Sequence, residues 1–404
     1  MEKSRKPKIR FKGYNDDWEQ RELGEIADFY TGNGLSWNDI SENGSQECIL
    51  YGNLYTDYGM IAENVVYRTN TVINTPVYSE FGDVLIPASD TTPTGLARAT
   101  SIEKSGVLLG GDINIVRPKK SISGSYLSLA INRNKGELIK LIKGTTVRHI
   151  HNSEIKGVTV SLPNNLCEQE IITECFRNLD NLITLHQRKL EKLMNVKKSM
   201  LEKMFPKQGS TVPEIRFNGF TQAWEQRKAK KLFISTADKG YPDLPVLSAT
   251  QDRGMIRRDQ NSINISHDKN NENGYKRVLP GQFVIHLRSF QGGFAHSRIE
   301  GITSPAYTIF GFSEPKKHDS EYWKYVFTSK EFIRRLETVT YGIRDGRSIS
   351  YDEFLTLDFF FPSVEEQEKI SQYLDELTHL ITLHQRKLEK LKNIKKSMLE
   401  KMFI

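Results

Sequence analysis

Apolar residues recur at alternating spacings of four and three through two long segments of the chain, residues 164–206 and 362–404. This heptad spacing is typical of a helix that packs against another helix. The recurring positions of the first segment are Ile172, Phe176, Leu179, Ile183, His186, Leu190, Leu193, Lys197, Met200 and Met204. Those of the second are Ile370, Leu374, Leu377, Ile381, His384, Leu388, Leu391, Lys395, Met398 and Met402. Each segment is therefore predicted to be one long amphipathic helix.

The two predicted helices contain near copies of one sequence. Residues 182–205 and 380–403, which we call the first and second repeated segments, differ only at Met194/Lys392 and Val196/Ile394. An Ile-Arg-Phe motif followed by Trp-Glu-Gln-Arg also opens each half of the chain, beginning at Ile9 and again at Ile215. Each half therefore has the order opening motif, variable body and helix, which indicates an internal duplication.

The duplication predicts approximate two-fold symmetry, with the helices packed against each other as an antiparallel intramolecular coiled coil. The alternative is that each helix packs separately on its own domain. The bodies combine short β-like runs, such as 83–87 and 307–310, with helix-like stretches at 126–142 and 322–336, so each is predicted to be an α+β domain. The predicted boundaries are 1–163 for the first domain, 164–206 for the first helix, 207–361 for the second domain and 362–404 for the second helix.

Two shorter predictions concern the first body. Ile9-Arg-Phe is predicted to form a short strand, and the polar stretch 88–98 is predicted to be a loop outside the core.

The overall charge favours an anionic partner. The formal net charge is +7 and the sequence pI is about 9.0, which suits nucleic acid, although a basic protein without such a partner has the same composition. The three cysteines form no Cys-x-x-Cys pair, which favours a reduced, cytoplasmic setting. No apolar run approaches the ~18 residues that a membrane span needs, and no signal peptide is predicted.

The sequence contains no motif that identifies a catalytic residue. The chain has no Pro-Pro pair, which an Asn/Asp-Pro-Pro-aromatic methyltransferase motif requires, and no Gly-x-x-x-x-Gly-Lys-Ser/Thr loop. The Gly-rich stretch that follows Tyr30 fits a turn better than a cofactor loop. His149 and His151 have the spacing of two metal ligands, but DNA contact or turn formation explains them better. We therefore assign no catalytic, cofactor-binding or metal-binding residue.

DNA contacts require cationic and hydrogen-bonding side chains on loops that a rigid scaffold holds. The stretches around Thr146-Val-Arg-His and Ile343-Arg-Asp-Gly-Arg fall at equivalent places in the two halves, although solvated loops away from DNA remain the alternative for each residue. The candidates in the first body are Asp90, Thr91, Thr92, Thr94, Arg98, Lys143, Thr145, Thr146, Arg148 and His149. Those in the second are Gln251, Asp252, Arg253, Arg288, Ser289, Gln291, Gly292, Tyr341, Arg344, Asp345 and Arg347.

The full chain resembles the specificity subunits of type I restriction-modification systems. The motifs that carry the resemblance are the two openings, Gly144-Thr-Thr-Val-Arg-His-Ile, Cys167-Glu-Gln-Glu with Glu365-Glu-Gln-Glu, and the Leu-Ile-Thr-Leu-His-Gln-Arg-Lys-Leu that begins each repeated segment. The resemblance implies two target-recognition domains that each read one half of a bipartite double-stranded DNA site. It also implies that the helices set the spacing and dock two modification subunits.

The resemblance places the chemistry on partner proteins. S-adenosylmethionine would be bound by the modification subunits, which methylate adenine N6, while ATP and Mg would belong to partners that include separate restriction and motor subunits. The chain itself would be a non-catalytic, cytoplasmic DNA-binding subunit. Two other hypotheses remain at this stage: a coiled-coil DNA-binding regulator without enzyme partners, and a stand-alone nuclease or methyltransferase.

The two-reader hypothesis makes a direct prediction. Replacing residues 1–163 by those of a related chain is expected to change one half of the protected DNA sequence, as measured by methylome sequencing. A replacement that left both halves unchanged would contradict the hypothesis.

Overall fold

The computed structural model describes residues 6–207, 210–250, 252–260, 269–286, 293–338 and 350–404. The chain divides into two compact units. Unit 1 contains Met1–Gln187 and Arg386–Ile404, and unit 2 contains Arg188–Gln385. Each unit combines residues that are far apart in the chain. The division into four consecutive segments that the sequence suggests therefore stays a prediction.

Unit 1 is built on a five-stranded sheet with the order β2-β10-β6-β8-β4, in which only β4 and β8 pair in parallel. A three-stranded sheet, β5-β3-β9, and the two-stranded ladders β1-β12 and β11-β7 complete it. The strands are β1 Glu19–Glu22, β2 Ala27–Thr31, β3 Gln46–Ile49, β4 Ile61–Ala62, β5 Tyr67–Thr69, β6 Asp83–Pro87, β7 Ser89–Asp90, β8 Thr100–Ile102, β9 Leu108–Leu109, β10 Ile113–Pro118, β11 Arg148–His149 and β12 Thr159–Leu162. The helices are α1 Leu23–Ile26, α2 Asn53–Thr56, α3 Pro93–Leu96, α4 Gly124–Arg133, α5 Lys135–Leu141, α6 Asn152–Ile155 and the beginning of α7 Leu166–Lys203.

Unit 2 repeats this plan with a four-stranded antiparallel sheet of order β14-β21-β18-β19. The strands are β13 Glu225–Lys228, β14 Phe233–Thr236, β15 Leu247–Thr250, β16 Gly254–Arg257, β17 Lys276–Val278, β18 Phe283–Ile285, β19 Phe294–His296, β20 Gly301–Thr303, β21 Thr308–Phe312 and β22 Asp358–Phe361. The helices are α8 Ala229–Leu232, α9 Ser320–Thr328, α10 Lys330–Thr338, α11 Tyr351–Phe354 and the beginning of α12 Val364–Lys401. The predicted α+β character of both bodies is confirmed.

The two long predicted helices are α7 and α12, and every predicted heptad position on them is buried or half-buried. In unit 1 the rings of Phe176 and Phe403 lie 6.0 Å apart, and Lys395 Nζ lies 2.5 Å from Asp180 Oδ1. Phe176 comes before Asp180 in α7, but its partner Phe403 comes after Lys395 in the second segment. The two helices therefore run antiparallel. The predicted antiparallel pairing is therefore confirmed.

Each repeated segment ends in a Met-Phe pair that fills an aromatic cluster. In unit 1, Phe403 stacks on Tyr126 at 5.5 Å and meets the edge of Trp18 at 6.2 Å, with Met402 buried in the same core. Burying one such aromatic side chain stabilises a core by ~2–3 kcal/mol.

The same arrangement recurs in unit 2. Phe205 stacks on Tyr322 at 5.6 Å, Trp224 lies 6.3 Å from Tyr322, and Met204 is buried beside them. Unit 1 thus receives the end of α12, and unit 2 receives the end of α7.

The opening motif of each half is attached to both long helices. In unit 1, Arg10 forms a two-pronged ion pair with the buried Glu168, at 2.6 and 2.8 Å, and Ile9 N donates to Lys401 O at 3.0 Å. The hydrogen bond that Arg10 donates to Glu168 raises the pKa of Arg10. Because a carboxylate is buried only when it is paired, this ion pair fixes the first turn of α7 against the opening motif.

Unit 2 has the equivalent contacts. Arg216 binds the buried Glu366 at 2.7 and 2.8 Å, and Ile215 N donates to Lys203 O at 2.9 Å. The first glutamate of each Glu-Gln-Glu motif therefore has a structural role, because it binds the arginine of the opening motif.

The glutamine of each Glu-Gln-Glu motif joins a long helix to the body helix of its unit. Gln169 Oε1 accepts from Ser123 N, the residue that caps α4, at 2.8 Å. Gln367 Oε1 likewise accepts from Asp319 N, which caps α9, at 3.0 Å. These bonds satisfy buried side-chain amides and set the position of the body helix.

Four local predictions need correction. The helix predicted over 322–336 is two helices, α9 and α10, which are separated at Ser329. Ile9-Arg-Phe is not a strand, because its hydrogen bond goes to the end of a helix rather than to a sheet. The helix predicted over 126–142 is two helices that meet at Asn134, a poor helix former. The stretch 88–98 is not excluded from the core, since it contains β7 and α3 and buries Leu96 and Ala97 completely. No helix in the described ranges has the length and apolarity to cross a membrane.

The Met-Phe contacts predict matched stability losses. Phe403→Ala and Phe205→Ala should each lower the free energy of unfolding by about 3–5 kcal/mol, because each leaves a cavity in an aromatic core. Urea unfolding followed by circular dichroism measures this. Leu185→Ala, at a side chain 61% exposed, is the control and should change little. Equal losses of unfolding free energy in all three variants would show that the Met-Phe pairs do not stabilise the cores.

Candidate nucleic-acid interface

In unit 1 the fold brings together the two predicted DNA-contact stretches, 88–98 and 143–149. Strands β7 and β11 pair antiparallel, which sets Arg148 opposite Asp90. The ladder is extended by Ile150 N, which donates to the carbonyl oxygen of residue 88 at 3.1 Å. Residues far apart in the chain therefore share one short, rigid ribbon.

The stretch 143–149 is a closed turn. Lys143 and His149 exchange backbone hydrogen bonds of 3.0 and 2.8 Å, which join the two ends of the turn. Gly144 has φ of +104°, and a Cβ there would lie 2.3 Å from Val147 O, so only glycine fits. The exposed residues of the turn include Thr145, Thr146 and Val147.

The polar residues that follow β7 are bonded to one another. Asp90 accepts from Thr91 N at 2.6 Å and from Thr92 Oγ1 at 3.1 Å, and Thr92 Oγ1 accepts from Gly95 N at 3.2 Å to cap α3. Three of the predicted candidates, Asp90, Thr91 and Thr92, therefore shape the loop, while the side chain of Thr94 is exposed.

Two predicted cations have protein partners. Arg98 donates to Leu54 O and lies over the ring of Tyr55 at 5.7 Å. Lys143 Nζ lies 2.9 Å from Glu154 Oε1, and this hydrogen bond holds the pKa of Glu154 near 2. Both cations add positive potential to the surface while they stabilise the loop that bears them.

Arg148 is different, because its Nε is buried and has no hydrogen-bond partner within the described part of the chain. A buried donor without an acceptor is costly, and a movement of the Arg148 side chain that brought this donor to a bound duplex would remove that cost. The neighbouring His149 has its Nδ1 2.9 Å from Ser89 Oγ, which orients its ring. Arg148 is therefore the candidate of unit 1 best placed to contact a base or phosphate.

His149 and His151 lie side by side. The rings of His149 and His151 are parallel, with centroids 6.2 Å apart. Among the residues described, no group of three or more His, Cys, Asp or Glu side chains could hold a metal ion.

Two residues that support this surface were not among the candidates predicted from the sequence. Tyr55 OH donates to Ser89 O at 2.7 Å, and Asn152 Nδ2 donates to Tyr30 O at 2.8 Å. Both contacts join segments distant in the chain, and no local motif marks either residue.

In unit 2, Asp252 and Arg253 lie in the turn between β15 and β16, and both side chains are exposed. Arg253 N donates to Thr250 Oγ1 at 3.1 Å, which fixes the turn. The remaining candidates lie outside the described residues: Gln251, Arg288, Ser289, Gln291, Gly292, Tyr341, Arg344, Asp345 and Arg347. For these residues DNA contact stays a prediction.

Comparison with known proteins gives three results. Residues 15–195 match the model of the type I restriction modification DNA specificity domain. The type I restriction enzyme MjaVIII specificity subunit of Methanocaldococcus jannaschii is 21% identical over 405 residues, which cover 95% of this chain and 91% of that protein. The crystal structure of a type I restriction-modification system S subunit from M. genitalium has the same fold, with a TM-score of 0.63, 13% identity and 99% coverage of both chains.

The unpaired donor of Arg148 generates a prediction for DNA binding. Arg148→Ala should weaken binding of a target duplex by about 1–3 kcal/mol, because a hydrogen-bonding cation is lost from the ribbon. Fluorescence anisotropy measures the change. The control is Arg21→Ala, an exposed arginine that pairs with Glu25 on another part of unit 1. Equal affinity of the two variants for the duplex would show that Arg148 does not contribute to DNA binding.

Proposed function

We propose that this chain, which belongs to the specificity subunits of type I restriction-modification systems, selects the DNA sequence on which its complex acts. Each of the two bodies reads one half of a bipartite duplex site. The paired helices α7 and α12 set the distance between the half-sites and dock two modification subunits. The complex acts in the cytoplasm, where it also recruits restriction and motor subunits.

One observation carries the proposal: two bodies share the same attachments to the helices but differ in their polar loops. The Arg10–Glu168 and Arg216–Glu366 ion pairs and the two Met-Phe pairs are the shared part. The turn 143–149 lies between α5 and α6, and the different sequence 340–349 lies at the matching place between α10 and α11. A constant frame with different loops suits two readers of different sequences.

We further propose that the chain does no chemistry of its own. Several polar groups of the ribbon hold its shape, as in the bond between Ser89 and His149 and the bonds of Asp90 to its own turn. S-adenosylmethionine, ATP and Mg would be bound by the partner subunits, and the methyl transfer to adenine would take place there.

The test is methylome sequencing of cells that express adenine methyltransferase subunits of this system with and without the chain. We expect adenine methylation at one bipartite motif only when the chain is present. The variant Arg148→Ala should relax one half of that motif and leave the other half unchanged, because the ribbon belongs to unit 1. Methylation of DNA by the purified chain and S-adenosylmethionine alone would contradict the proposal.

A further inference from the structure

Equivalent positions near the starts of the two long helices carry opposite charges. Arg177 of α7 and Asp375 of α12 each lie the same number of residues beyond the paired glutamates Glu168 and Glu366. We call residues 166–181 and 364–379 the first and second helix starts. They precede the repeated segments and differ from each other at most positions.

In unit 1 the body presents acidic groups to its helix start. Arg177 Nε lies 2.7 Å from Glu63 Oε1, and Arg177 Nη2 lies 2.5 Å from Glu103 Oε1. Glu103 is held in place by Ser125 Oγ of α4, which donates to it at 2.6 Å. The side chains of Arg177 and Glu103 are only 25% and 15% exposed, so solvent screens this contact less than a surface pair.

In unit 2 the polarity is reversed, and the body presents basic groups. Asp375 lies 2.8 Å from Arg298 Nη2 and 2.7 Å from Lys324 Nζ, and it also accepts from Tyr325 OH. Glu321 bridges the same two cations, at 2.5 Å from Arg298 and 2.8 Å from Lys324. Burial raises the pKa of Glu321, but the hydrogen bonds from Arg298 and Lys324 outweigh it and bring the pKa to about 2.

Unit 2 also has contacts of its own, such as the Phe217–Tyr373 ring contact and the hydrogen bond from Ser371 Oγ to Asp319 Oδ2, but the main remaining contacts between helix and body recur in both units. Both helices use a Glu-Gln pair to bind an arginine and a helix cap, and both repeated segments supply a Met-Phe pair. A body placed on the wrong helix start would keep these recurring contacts. It would also place like charges together in a half-buried contact, where unpaired charge is costly.

We propose that Arg177 and Asp375 are positioning residues that match each body to its own helix start. The part of the chain that can be exchanged as a unit is therefore the body together with its helix start. It ends where the repeated segment begins, at residue 182 or 380, rather than at the end of the body. The inference concerns folding, so it stands or falls independently of the proposed reading of DNA.

Two chimeras of the full chain test this. In the early chimera, residues 213–363 replace residues 7–165, so a second copy of Arg298 and Lys324 faces Arg177. In the late chimera, residues 213–379 replace residues 7–181, so the same cations face a copied Asp375. We expect the early chimera to melt at least about 5 °C below the late one, since each kcal/mol lost shifts melting by a few degrees.

A single substitution then isolates the charge. Arg177→Asp in the early chimera should recover a measurable part of the lost melting temperature. The control is Arg188→Asp, which removes the same charge from an exposed position of the repeated segment and should recover none. Equal melting of the two chimeras, or equal recovery by both substitutions, would overturn the proposal.

The natural chain supplies a second test that does not require a chimera to fold. Arg177→Glu and Glu103→Arg should each lower the melting temperature, and the double variant should melt above either single variant because the pair is restored with reversed polarity. Strictly additive losses in this cycle would overturn the proposal as well.

Discussion

The structure depends on the burial of a Met-Phe pair at the end of each long helix. Phe403 completes the cluster of Trp18 and Tyr126 in unit 1, and Phe205 meets Tyr322 in unit 2. Because both clusters use the same ring types, one sequence fits both, and the repeated segments have a structural reason to remain nearly identical. The long amphipathic helices would otherwise have few fixed points, since most of their central heptad positions are only half-buried.

Around this frame, hydrogen bonding divides the polar residues into two groups. Asp90, Arg98 and Lys143 are bound to their own loops or to neighbouring segments and keep the ribbon of unit 1 in one shape. Thr145 and Thr146 are exposed, and Arg148 retains a donor without an acceptor in the described chain. A surface that orders its loop in advance loses less conformational entropy on binding, which favours affinity and selectivity.

The sequence predicted the helices, the duplication and the mixed bodies, because periodicity and repetition are local signals. It could not predict which unit receives the end of each helix, since a heptad pattern gives the face that is buried but not its partner. The break at Asn134 and the burial of Leu96 depend on tertiary packing, which overrides local composition. In the candidate interface, the sequence found the segments that pair in unit 1, but Tyr55 and Asn152 contribute through contacts that no motif marks.

The exchange of helix ends has a consequence for cooperativity. Each helix begins in one unit and contributes its last turns to the core of the other. If one unit melted, the helix that starts there would lose its support, and the other unit would lose an aromatic side chain worth several kcal/mol, comparable with the whole stability margin of a domain. The two units are therefore coupled in unfolding, because the melting of one destabilises the other.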